Sequence, residues 1–156
     1  MCEAAAHDSA KERLAACARS GERIGFALGT FPLIHAGTVV YLRRAREGCD
    51  RLFAIVLPGE GEQDTGEGTL LRPSERVRVL EMLVEVDGAI RIDLPDAPTL
   101  EEVHTAAPAA VWMRCTAEND VDDTTLRRLA QVGIEVNAVD AGQECTTRAI
   151  LERVAR

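Results

Sequence analysis

A chain of 156 residues has the length of one domain and can bury a core of ordinary size. Hydrophobic residues make up 46% and aromatics only 3%, which excludes wholesale disorder and leaves Leu, Val, Ile and Ala to build that core. The 18 basic and 26 acidic residues give a formal net charge of -8, so neither a nucleic-acid backbone nor an anionic membrane surface is the expected partner.

The first elements follow from periodicity. Helical spacing runs over residues 9–20, with Leu14, Ala15, Cys17 and Ala18 on one side, and Gly21 stops it. Residues 1–8 are expected to be a loose leading segment, and Glu3 and Asp8 make it unlike a secretory signal. Residues 23–31 read as a short buried strand that runs into a turn. His35-Ala36-Gly37 opens a second helix that carries Val39, Val40, Leu42 and Ala45 as far as Gly48. A second strand, 51–57, ends at Pro58. The glycine-rich acidic stretch 59–69 has no apolar period and is expected to be a mobile loop.

The later elements repeat the alternation. A helix starts at Arg72-Pro73 and runs to about 84, and a third strand spans 88–94. A helix over 99–107, capped by Pro98 or Thr99, precedes a fourth strand over 110–115. Asp122 caps a helix that Gly133 stops, 134–139 is a fifth strand, and 146–155 is the last helix. Five strands alternating with helices predict an α/β fold, a five-stranded parallel sheet with helices on both faces. Ligands of such sheets bind at the carboxyl ends of the strands, where the strand order switches.

Cys2, Cys17, Cys49, Cys115 and Cys145 are odd in number and include no Cys-x-x-Cys pair. They predict reduced thiols and a cytoplasmic setting rather than a disulfide framework or a zinc site. No apolar run approaches the roughly 18 residues of a membrane span.

The densest chemical signal is Gly29-Thr30-Phe31-Pro32-Leu33-Ile34-His35-Ala36-Gly37-Thr38. It reads as a strand, a glycine turn, and a helix whose first turn holds a histidine. The free N–H groups of that turn favour an anion, His35 adds a donor, and Gly37 permits close approach of backbone or ligand.

This stretch resembles the Gly-x-Phe-Asp-x-x-His-x-Gly-His signature of the cytidylyltransferase-like nucleotidylyltransferases. Residues 14–57 are similar to the adenylyltransferase domain of bacterial heptose-phosphate enzymes, through Ala36-Gly37, Tyr41-Leu42-Arg43-Arg44-Ala45 and Asp50-Arg51-Leu52. Arg72-Pro73-x-x-Arg76, with Leu80 and Val86-Asp87, resembles the second block of that family. The run Cys145 to Val154 resembles its hydroxyl-rich turn before the final helix.

The resemblance implies a single Rossmann-like domain, 1–156, in which a metabolite's phosphate attacks the α-phosphate of ATP or CTP and pyrophosphate leaves. It implies Mg²⁺ carried by the nucleotide, no metal-ligating residues of the chain itself, and a homodimer. His35, Thr38 and Arg76 are then the candidate catalytic residues. Gly29, Thr30, Phe31, Gly37, Arg114, Thr146, Thr147 and Arg148 are the candidates for holding nucleotide and phosphate.

Several positions depart from the pattern. Pro32 stands where the signature has Asp, and Thr38 replaces its second histidine. A threonine can hydrogen-bond a phosphate but carries no charge. Arg114 is one place from a family lysine after the fourth strand, and Arg148 takes the place of the third hydroxyl residue. These departures motivate an alternative, a catalytically degenerate nucleotide-binding member with a regulatory, partner-binding or repurposed role. His7 and His104 are expected to be structural or solvent-exposed. Glu118, Asp120, Asp122 and Asp123 are expected to form a solvated loop and helix cap, or else to hold Mg²⁺ through water. Trp112 is expected in the core, or stacked on a nucleotide base.

Overall fold

The computed structural model describes residues 2–59, 70–92, 98–118, 121–142 and 145–156. Among these, the apolar runs form β1 (Ile24–Gly29), β2 (Arg51–Val56), β3 (Gly88–Arg91), β4 (Val111–Cys115) and β5 (Val136–Val139). The helices are α1 (Cys2–Arg19), α2 (Ala36–Glu47), α3 (Pro73–Glu81), α4 (Pro98–Ala106), α5 (Asp123–Gln131) and α6 (Thr147–Val154). All strand pairs are parallel, in the order β3-β2-β1-β4-β5. Parallel neighbours need crossovers, and the intervening helices provide them. The expected α/β architecture is the one observed.

The sheet is covered on both faces, so its central strands are apolar on both. All six residues of β1 are buried, and alternate residues feed two separate cores. Phe26, Leu28, Phe53, Ile55 and Trp112 pack with Leu14 of α1, Val103 of α4 and Leu129 of α5. Ala27, Leu52, Ala54 and Met113 pack on the other face with Leu42 of α2 and Leu80 of α3.

Helix ends are closed as the sequence suggests. Gly21 and Gly133 adopt φ of 75° and 82°, the left-handed region, and each closes its helix. The N–H after each one reaches back to a carbonyl of the last turn, Glu22 to Cys17 at 3.3 Å and Ile134 to Leu129 at 2.9 Å. Asp122 caps α5 by accepting the Thr125 N–H at 2.6 Å.

Some boundaries differ from the sequence reading. α1 begins at Cys2, earlier than apolar spacing indicates, because Ala4-Ala5-Ala6 carries high helix propensity without any periodic stripe. α3 ends at Glu81, and Met82 and Val84 beyond it are 85% and 92% exposed, so no packing extends the helix. The expected loop over 59–69 and the end of the third strand lie largely outside the described residues. Among the described residues no helix is long and apolar enough to cross a membrane.

β1 is followed by β2 and β3 on one side and is flanked by β4 and β5 on the other. The strand order therefore switches between β1 and β4, and their carboxyl ends bound the crevice in which such sheets bind ligands. The Tyr41 hydroxyl lies 3.1 Å from the Leu28 carbonyl and 2.9 Å from that of Met113, tying the two strand ends together.

A candidate anion-binding cleft between two helix N-termini

β1 ends at Gly29, and the chain turns sharply before α2. Phe31 at the turn has φ of 49°, a conformation that costs a non-glycine residue about 1–3 kcal/mol. Its ring is buried, at 5% exposure, and this packing holds the strained turn. Arg76 of α3, at 1% exposure, donates from its guanidinium to the Thr30 carbonyl and so braces the turn from behind.

His35 is the N-cap of α2, with extended backbone. Its Nδ1 accepts the Gly37 N–H at 3.0 Å, and its own N–H donates to the Thr38 hydroxyl at 3.2 Å. This reciprocal pair is a capping box with histidine in the usual place of serine or threonine. Because Nδ1 accepts, the neutral ring carries its proton on Nε2. That nitrogen faces Glu118 and Thr147, two residues that line the cleft. It lies 2.8 Å from Oε1 of Glu118 and 3.2 Å from the Thr147 hydroxyl.

Glu118 Oε1 also accepts the backbone N–H of Thr147, the first helical residue of α6, at 2.9 Å. Thr146 caps that helix by accepting the Ala149 N–H at 3.1 Å. Two helix N-termini thus converge on one carboxylate oxygen. Free N–H groups and the positive ends of both helix dipoles favour an anion at this point. The approach depends on Gly37: a Cβ there would lie 2.0 Å from the Cys145 carbonyl oxygen. Any side chain at 37 would push the turn before α6 away from α2. Leu33, Tyr41, Cys115 and Ala141 line the cleft beside Gly29, Phe31, Thr38 and Cys145.

The structure brings His35, Gly37, Thr38, Thr146 and Thr147 together around this cleft, with Gly29 and Phe31 lining it and Thr30 held by Arg76. It does not bring Arg114 or Arg148 there. Arg114 follows Trp112 by two residues in β4 and lies on the Trp112 face of the sheet, opposite the cleft. Arg148 is exposed and pairs with Glu152 at 3.0 Å along α6. Trp112 is a core residue, 2% exposed, with its ring 4.5 Å from that of Phe26 and 6.4 Å from that of His104. It faces away from the cleft and is not placed to stack on a ligand there. His7 lies in α1, its side chain outside the described residues, as is Asp120.

Glu118 is the cleft residue that sequence reading did not select. In the sequence it belongs to an acidic run whose other described members, Asp122 and Asp123, cap and open α5. Nothing in local spacing separates Glu118 from them. Only the pairing of β4 beside β1 carries it to His35, 83 positions away.

Comparison with known proteins places the fold in a family. The family model described as Cytidylyltransferase-like matches residues 26–137. The chain belongs to the cytidylyltransferase-like family. Within it, the chain is 34% identical over 137 residues to the bifunctional protein HldE of Alcanivorax borkumensis, across 86% of this chain but 28% of that protein. It is 29% identical over 112 residues to the FAD synthase of Pyrococcus horikoshii, across 71% of this chain and 74% of that enzyme. The chain therefore spans a little over a quarter of its HldE relative. A lipopolysaccharide core biosynthesis protein from Thermoplasma volcanium shares the fold, with a TM-score of 0.58 at 22% identity, over 80% of this chain and all of that one. The matched region runs from within β1 to the middle of β5 and thus contains His35, Thr38, Arg76 and Glu118.

Proposed function

We propose that this chain is a nucleotidylyltransferase that moves AMP, or CMP, from a nucleoside triphosphate to the phosphate of a small metabolite. A phosphate oxygen of the metabolite attacks the α-phosphorus, the bond to the β-phosphate oxygen breaks, and pyrophosphate leaves. One observation carries this reading. The His35 Nε2–H and the Thr147 N–H, at the starts of α2 and α6, converge on a single oxygen at the switch point of the sheet. Glu118 supplies that oxygen in the resting chain, and a phosphate oxygen has the same charge and acceptor geometry.

The chemistry asks the protein for position and charge stabilisation, not for a covalent nucleophile. His35 donates through Nε2, and the two helix ends add N–H groups and dipole. Thr38 and Arg76 act by position: Thr38 holds the His35 backbone, and Arg76 holds the Thr30 carbonyl. Among the described residues no group of three or more His, Cys, Asp or Glu side chains is arranged to hold a metal ion. Mg²⁺, implied by the family resemblance, would enter with the triphosphate and would supply charge neutralisation on its oxygens.

A second reading is favoured by the departures from the signature. The Thr38 hydroxyl oxygen accepts within the cap, Arg148 pairs with Glu152, and Glu118 already accepts from His35 and Thr147. A nucleotide-binding protein without transferase chemistry would fit these facts. Incubation with ATP or CTP, Mg²⁺ and a panel of sugar and polyol phosphates, with assay of pyrophosphate, separates the two. Release with one acceptor supports the transferase. No release across the panel from folded protein that binds nucleotide supports the second reading.

A further inference from the structure

Beside the proposed phosphate donors stands a thiol that nucleotide binding does not require. Cys145 Sγ lies 3.6 Å from Nδ1 of His35, and Nε2 of the same ring lies 2.8 Å from Glu118. Thiol, imidazole and carboxylate are linked in that order, the arrangement in which a base, oriented by a third group, activates a nucleophile. Cys145 is half-buried and borders the cleft, so a small reagent can reach it. It immediately precedes the cap of α6, and its carbonyl rests on Gly37 at the start of α2. Its sulfur is therefore beside the positive ends of two helices.

We propose that Cys145 is a reactive-thiol modification site for small soft electrophiles, with His35 as the proton acceptor and Glu118 as the residue that positions His35. With a haloacetamide, the thiol proton passes to Nδ1 of His35. The sulfur forms a bond to the methylene carbon, the carbon–iodine bond breaks, and iodide leaves. Nδ1 is shared between the thiol and the Gly37 N–H, so proton transfer costs the chain that cap bond. The cost is offset because the developing negative charge on sulfur faces the N-terminal ends of α2 and α6, and the Nε2–H of the imidazolium faces a carboxylate.

Cys49 and Cys115 are buried, and burial pushes the Cys49 thiol up. Burial, with the Glu22 carboxylate beside it, pushes the Cys17 thiol up as well. The site is independent of the proposed transferase activity, because it needs no nucleotide.

Timed treatment of the full chain with iodoacetamide at neutral pH, with each cysteine peptide quantified by mass spectrometry, tests it. Cys145 is expected to be modified about tenfold or more faster than Cys17. His35→Asn keeps an acceptor for the Gly37 N–H but no base, and is expected to bring Cys145 down to about the rate of Cys17. Glu118→Gln keeps an oxygen for Nε2–H and is expected to retain more of the rate than Glu118→Ala. A Cys145 rate no higher than that of Cys17 overturns the proposal. So does a rate unchanged in folded His35→Asn or, should that variant not fold, unchanged in Glu118→Ala.

Discussion

His35 serves structure and site with one ring. Nδ1 caps the backbone of α2, and Nε2 meets the Glu118 carboxylate at the edge of the cleft. Those two roles can be separated by substitution. Asparagine is among the best N-cap residues, so His35→Asn is expected to melt close to the wild-type temperature. His35→Ala also loses the cap and is expected to be less stable by about 1 kcal/mol. Both variants lose the donor, and turnover in both is expected to fall by about 10²–10³. Thermal melts and pyrophosphate release on the same preparations check this. Equal destabilisation by both variants would assign the loss to contacts of the ring other than the cap. His35, Gly37 and Thr147 were legible in the sequence because each sits in a contiguous run whose local conformation decides its role. Glu118 and Arg114 were not. The first depends on long-range strand pairing. The second depends on strand phase, where one position moves a side chain to the opposite face.

Elements were legible where punctuation and period agreed. Gly21, Gly133, Asp122 and Thr146 close or cap the helices next to which they stand. The start of α1 was not legible, since propensity without an apolar stripe leaves no period to read. A connection between elements that carries more weight than its sequence suggests is Asp87, just before β3. Its carboxylate accepts the Leu52 N–H at 2.9 Å and a bond from Arg51 at 3.0 Å, and it pairs with Arg46 of α2. Burial pushes this carboxyl up, but the Leu52 N–H and the two guanidinium groups outweigh it and hold Asp87 below the usual carboxylate range. A depressed folded value stabilises the fold fully above the unfolded value of about 3.9, and the contribution is lost as pH falls through the folded value. Asp87→Ala also leaves the Leu52 N–H unsatisfied, and is expected to cost about 1.5–3 kcal/mol at neutral pH. Denaturant melts are expected to show that difference narrowing below about pH 4. A difference that stays constant into acid would assign the effect to packing instead of charge.

At the scale of the molecule, the strand order creates the cleft. Chain crossing from the β3 edge to β4 on the far side of β1 leaves the ends of β1 and β4 uncovered, and α2 and α6 close over them from the two halves of the sequence. The parallel sheet with helices on both faces followed from alternation, but the strand order did not. The family resemblance further implies a homodimer, and the exposed Met82 and Val84 next to β3 offer apolar surface for it. Light scattering is expected to give about twice the chain mass of 16.9 kDa, and a value near the single-chain mass would contradict that expectation.

The proposed function puts a triphosphate seat at the starts of α2 and α6, where Glu118 now accepts from His35 and Thr147. Calorimetric titration of ATP and CTP into the wild-type chain, Glu118→Ala and His35→Asn measures it directly. Wild type is expected to bind one of the two more tightly than millimolar. Glu118→Ala is expected to bind about tenfold more tightly, the equivalent of about 1.4 kcal/mol, because a competing like charge is gone. His35→Asn is expected to lose most of the affinity. Binding of equal strength in all three proteins, or none in the wild type and Glu118→Ala alike, would contradict the assignment of the seat.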